Sequence, residues 1–113
     1  MTIDARVDYV ELSVGDGPEA QAFYEKAFGW SFQAWGPEYL AFDDGREAGG
    51  LRVEGERKPP LVILLASDLD AVRARVTAAG GTVLGPDIVF PGGRRFHFRD
   101  PSGNELAVWT KTG

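Results

Sequence analysis

The chain holds one histidine and no cysteine, so its chemistry must be built mainly from carboxylates, phenols and guanidinium groups. Glu11 lies between Val10 and Leu12 in VDYVELSV, and a carboxylate in such an apolar alternating stretch must find a partner or take up a proton. His97 lies between Phe96 and Phe98 in RRFHFRD, where an imidazole is either a hydrogen-bonded strand histidine or half of an acid/base pair. Glu11 and His97 together would suffice for an isomerase, lyase or ring-closing reaction that needs only proton transfer. The other reading of Glu11 is a structural ion pair, with His97, Arg52, Arg95 and Arg99 as candidate partners. A transition-metal centre wants at least three imidazole, carboxylate or thiolate donors. Glu11, His97 and Glu105 could supply such a set only if ligand count and geometry both held, and the expectation is no metal and no cofactor. Among the large aromatics, Trp30, Trp35, Tyr39 and Trp109 are either ordinary core residues or walls for a planar, apolar ligand.

These side chains need strands to carry them. Alternation along the first strand turns Val10, Leu12 and Val14 into a core and leaves Tyr9, Glu11 and Ser13 on the opposite face. Near the C-terminus Phe96, Phe98, Leu106 and Val108 alternate against Arg95, His97, Arg99, Glu105, Ala107 and Trp109. Asp100-Pro101-Ser102-Gly103-Asn104 reads as the turn between these two strands, with Pro101 presetting φ and Gly103 and Asn104 tolerating left-handed conformations. Asp16, Gly17 and Pro18 start a helix with the stripe Ala20, Phe23, Tyr24, Ala27 and Phe28, and Gly29 stops it. A second helix starts at Ser67-Asp68, with Ser67 as a capping-box residue, carries Leu69, Val72, Val76 and Ala79, and ends at Gly80-Gly81. Further strands are predicted near 30–35, 39–43, 49–53, 61–66, 82–84 and 87–90. Asp16 and Gly29 recur at one and the same offset as Asp68 and Gly81, and Val10, Leu12 and Val14 as Val62, Leu64 and Ala66. A strand, a helix and three strands, twice over, is a duplicated module. The expectation is a single domain over 1–113, with modules of about 1–55 and 60–113 joined by EGERKPP.

Composition narrows the classes of function. A net charge of −5 and only a pair of adjacent arginines, Arg94 and Arg95, argue against nucleic acid as a partner. No apolar run approaches the ~20 residues that span a bilayer. The opening MTIDARVDY lacks an apolar signal region, and with the absence of cysteine this favours the cytoplasm.

The aromatic strand, D-P-x-G-N turn and final strand resemble the last hairpin of the vicinal oxygen chelate superfamily, which includes glyoxalase I, extradiol dioxygenases, and fosfomycin and bleomycin resistance proteins. The opening strand, its Asp-containing loop and AFYEKAFG resemble that superfamily's first module, so the resemblance covers nearly the whole chain. Glu11 and Gly49-Gly50-Leu51 are similar to features of its single-domain glyoxalase-like members. The resemblance implies an α+β fold of two βαβββ modules, forming a curled, cup-shaped mixed sheet with helices outside, in a homodimer. In metal-dependent members the ligands fall at positions that are Tyr9, Leu61 and Ala107 here, and neither of the last two can bind a metal. The combined expectation is a metal-independent protein that holds a small organic molecule against Tyr9, Trp35, Tyr39, Arg52, Leu61, Ile63, Arg95, Ala107 and Trp109. An enzyme using Glu11 and His97 is the alternative, and a metal-dependent glyoxalase or dioxygenase is less favoured.

Overall fold

The computed structural model describes residues 3–112. Its contacts divide the chain into two compact units, one spanning Tyr9–Leu61 and the other residues 62–112 with the N-terminal residues 3–8. The elements are β1 (Arg6–Val14), α1 (Gly17–Phe28), β2 (Ser31–Ala34), β3 (Tyr39–Asp43) and β4 (Ala48–Val53), then β5 (Leu61–Leu65), α2 (Leu69–Ala78), β6 (Thr82–Phe90), β7 (Gly93–Arg99) and β8 (Glu105–Lys111). In the first unit the strands run β2-β3-β4-β1, with β1 parallel to β4 and the other pairs antiparallel. In the second they run β5-β8-β7-β6, with β5 parallel to β8 and the others antiparallel. Each unit thus repeats one βαβββ order with one mixed parallel pair. The fold is α+β, with two helices and eight strands among the described residues.

The helix boundaries follow from capping. The Asp16 carboxylate accepts from the Glu19 backbone N–H at 2.9 Å, Pro18 sits in the first turn, and Gly29 closes α1 at φ +74, its N–H donating to Glu25. In α2 the cap is Asp68, whose side chain accepts from Ala71 N–H at 3.1 Å. Ser67, expected as the capping residue, is instead held by Asp4. That carboxylate accepts from the Ser67 N–H at 2.9 Å, the Ser67 hydroxyl at 3.0 Å and the Asp68 N–H at 3.1 Å.

Two further expectations are corrected. Residues 82–84 and 87–90 belong to one strand, β6, because its pairing with β7 survives a register shift between Leu84 and Ile88, where Gly85 takes φ +70. The stripe on α1 is narrower than its spacing implies. Ala20 and Tyr24 pack on the core, while Phe23 and Phe28 are 57% and 63% exposed.

The two cores are built alike. Leu40, Phe42 and Leu51 are buried in the first unit beneath Leu12, Val14, Ala20, Tyr24, Trp30 and Phe32. Trp30 stacks between Tyr24 at 4.8 Å and Phe42 at 4.5 Å, so it is a core residue and no ligand wall. In the second unit Ala66, Leu69, Val72, Phe96 and Val108 form the buried cluster, with Leu64, Val76, Val83 and Phe98 against it. The turn at Asp100 is fixed by its carboxylate, which accepts from the N–H groups of Ser102 and Asn104 and from the Asn104 amide. Gly103 alone in that turn takes positive φ, so Asn104 serves by its hydrogen bonds and not by a left-handed backbone.

Candidate functional site

Leu40 and Phe42 of β3 point into the first core, so strand alternation sends Tyr39 and Ala41 to the other face. Register then assembles that face. Glu11 lies level with Gly50 and Ala41, and Ser13 level with Arg52 and Tyr39. Glu11 is only 4% exposed, the one buried charged side chain among the described residues. Tyr39 reaches diagonally over Gly50 to donate its hydroxyl hydrogen to Glu11 Oε2 at 2.8 Å, and the Tyr9 and Tyr39 hydroxyls meet at 2.7 Å. Arg52 Nε approaches Glu11 Oε1 to 3.4 Å, and its Nη1 lies 3.9 Å from Glu54 Oε1. Glu54 also accepts from the Ser13 hydroxyl at 2.7 Å.

Glycine at position 50 makes this possible. A Cβ there would lie 1.9 Å from the Tyr39 hydroxyl oxygen and 2.3 Å from its ring carbon Cζ, so only a residue without a side chain lets the phenol cross β4. Gly49 does the same on the core face, where the Phe42 ring lies across it. Burial, then the Glu11 charge, push the Tyr39 phenol far above the ordinary range, so it keeps its proton and remains a donor. Glu54 is held below the usual carboxylate range, first by the Ser13 hydroxyl and then by Arg52, Lys58 and Arg57, against its own desolvation.

The second unit carries the other expected residues. His97 Nδ1 lies 2.8 Å from Glu105 Oε2, with the imidazole 12% exposed. Arg95 is level with Trp109 across β7 and β8, and Ile63 and Ala107 are level across β5 and β8, both buried. The Trp109 indole N–H donates to Asp8 at 3.0 Å and its ring lies 6.1 Å from the Phe90 ring, tilted by 43° to it. Leu61, in the first unit, is buried, whereas Trp35 lies just beyond the end of β2 with 65% of its surface exposed.

Of the partners expected for Glu11, the first unit supplies Arg52. The role of Tyr39 as its hydrogen-bond donor was missed, although Gly50 carried the signal, since glycine inside a strand marks the close approach of another group. Elsewhere in this unit an open groove of about 600 Å³ runs beside α1, lined by Gly17, Gln21, Glu25, Ala34, Pro37 and Leu40.

Residues 6–108 match the family model of the Glyoxalase/Bleomycin resistance protein/Dioxygenase superfamily, and the chain belongs to that family. Among solved structures it is similar to the Mn(II)-bound glyoxalase from Novosphingobium aromaticivorans, with 28% identity and a TM-score of 0.72 over 94% of this chain. The match spans only 40% of that glyoxalase. Methylmalonyl-CoA epimerase from Mycobacterium tuberculosis shares the fold at 15% identity and a TM-score of 0.76, covering 100% of this chain and 94% of that one. An extradiol ring-cleaving dioxygenase from B. fuscum does so at 16% identity and a TM-score of 0.76, over 97% of this chain and 33% of that one. No match was found among curated proteins.

A divalent metal is the group that such relatives raise. The residues at the positions tied to it by resemblance are a phenol, Tyr9, already bonded to Tyr39, and two buried hydrocarbons, Leu61 and Ala107. Among the described residues no three His, Cys, Asp or Glu side chains are gathered as a metal would need. The donor set does not fit the ion.

Proposed function

We propose that this protein is a metal-independent member of its family that binds a small organic molecule on the sheet face carrying Tyr9, Glu11, Tyr39 and Arg52. The observation that carries the reading is the buried Glu11 carboxylate, held by a phenol and a guanidinium on the face turned away from the helix. A purely structural face would be filled with Leu, Ile and Val, whereas a few convergent polar groups on an apolar floor suit a ligand. Leu61, Ile63, Arg95, Ala107, Trp109 and Trp35 are proposed as further ligand contacts. Binding should persist after exhaustive chelation. Loss of binding in chelator, restored by one equivalent of Mn(II), Zn(II), Ni(II) or Fe(II), would reject metal independence.

A second reading is an enzyme in which Glu11 and His97 act as base and acid in a proton transfer, favoured by the near-complete burial of Glu11. It predicts that Glu11→Gln abolishes turnover of a bound compound while leaving its affinity largely intact. We further propose a homodimer, supported by exposed apolar residues such as Phe23, Phe28, Ile88 and Val89, and a cytoplasmic location, supported by the absence of cysteine. Among the described residues no helix is long and apolar enough to cross a membrane. Light scattering should give about twice the 12.3 kDa chain mass.

A further inference from the structure

Two carboxylates steer Arg52 without using its hydrogen-bond donors. Its side chain is only 21% exposed, and register on β4 sets it level with Ser13 and Tyr39. Glu11 Oε1 stands 3.4 Å from Nε and Glu54 Oε1 3.9 Å from Nη1, ion-pair contacts that fall short of hydrogen-bond geometry. Nε is buried and has no hydrogen-bond partner among the described residues. Both carboxylates are tied to other groups. Glu11 Oε2 accepts from the Tyr39 hydroxyl at 2.8 Å. Glu54 accepts from the Ser13 hydroxyl at 2.7 Å, has Lys58 Nζ at 4.0 Å, and donates its own backbone N–H to the Val14 carbonyl at 2.8 Å. Neither can swing onto Arg52 without giving up these contacts.

A guanidinium is a planar fork of N–H donors with no acceptor, and a largely buried one whose donors go unmatched by the protein calls for an acceptor from outside. We infer that Arg52 is the anchor of this face and selects a ligand bearing a carboxylate, a small organic acid, over a neutral compound of the same shape. This rests on the proposal that the ligand occupies this face, and it names the chemical class of that ligand. Nε being buried, the ligand meets the Nη groups. The paired oxygens of a carboxylate match the fork and make charge-assisted bonds, whereas an amide or ketone accepts at one neutral oxygen. The surrounding charge admits a monoanion, because Glu11 and Glu54 are set among the cations Arg52, Arg57 and Lys58, all three of which act on Glu54. Holding Arg52 between two fixed carboxylates also orders its long side chain before the ligand arrives.

Benzoate and benzamide, which share a shape and differ by the exchange of a carboxylate oxygen for NH2, are the probes. They are titrated by NMR at neutral pH with the backbone amides of Tyr9, Glu11, Tyr39 and Arg52 as reporters. Wild type is expected to bind benzoate about tenfold or more tighter than benzamide, the difference between a charge-assisted and a neutral contact. In Arg52→Gln the ratio should collapse towards one. Arg52→Lys keeps the charge and loses the fork, so the ratio should fall to an intermediate value, which keeps the test open if Arg52→Gln fails to fold. Equal affinities in wild type, or an unchanged ratio in the variants, with shifts at the reporters, would overturn the inference and leave the ligand site standing. Benzoate shifts confined to the exposed Arg57 and Lys58, with benzamide still at the reporters, would overturn it likewise. No reporter shifts with either probe would overturn the site, and the inference with it.

Discussion

Replacing Gly50 by alanine should drive Tyr39 off Glu11. The new Cβ would stand 1.9 Å from the Tyr39 hydroxyl oxygen, an impossible contact that the ring relieves only by swinging away. The movement forfeits the bond to the Glu11 carboxylate, worth about 1.5–3 kcal/mol for a charged acceptor, and the neutral bond to Tyr9, worth about 1 kcal/mol. Restricting the unfolded chain returns roughly 0.4–1 kcal/mol. A net loss of about 2–3 kcal/mol follows, a fall in Tm of roughly 10–20 °C for a domain of this size. Urea and thermal unfolding measure it, and a double-mutant cycle assigns it. With Tyr39→Ala as background the clash has no partner, so Gly50→Ala should there be neutral or slightly stabilising. An equal loss in both backgrounds, or a Gly50→Ala protein as stable as wild type, would refute the reasoning.

Gly49→Ala should behave differently, because its Cβ meets both the Phe42 ring at 2.2 Å and the Val10 carbonyl oxygen at 2.4 Å. Removing the ring with Phe42→Ala cannot move that backbone oxygen, so the cycle should show no rescue; full rescue in urea unfolding would contradict the geometry. Asp4 has its pKa lowered from 3.8 to about 2, first by the Ser67 backbone N–H and then by that of Asp68. The unfolded chain takes up this proton first, so the contribution of Asp4 to stability is complete above about pH 4 and is lost as pH falls through about 2. Asp4→Asn should flatten the urea-midpoint profile across that window, and an unaltered slope would remove Asp4 from the account. Asp87 lies within the register shift of β6 and accepts from Arg73 of α2 and from Arg94 Nη1, the latter at 2.6 Å. Its side chain is 25% exposed, so Asp87→Ala should cost about 1 kcal/mol in dilute buffer and less in roughly 1 M salt. A loss independent of salt would point to packing instead.

Strand alternation places Glu11 and Tyr9 on the face away from the core because Val10 and Leu12 read as core-facing, whereas for Tyr39 the sequence leaves core residue and ligand wall both open. Asp16, Gly29 and Gly80 announced the helix ends through backbone chemistry that few other residues supply. What stayed hidden was diagonal. Tyr39 reaches Glu11 across β4, a contact that depends on register and on the gap at Gly50, and neither is local in sequence. Asp4 displaced Ser67 from its expected capping role for a similar reason, since they lie far apart in the chain. Phe23 and Phe28 fit the helical period yet remain exposed, because period tells which residues share a face and not how wide a stripe the sheet can cover.

The most direct test of the central claim is to map where a small aromatic molecule binds. Phenol titrated into chelator-treated, isotope-labelled protein should perturb the amides of Tyr9, Glu11, Tyr39 and Arg52, and Tyr39→Ala should weaken it. Shifts confined to the groove beside α1, at Gly17, Gln21, Glu25 and Ala34, or binding that appears only with added divalent metal, would contradict the account.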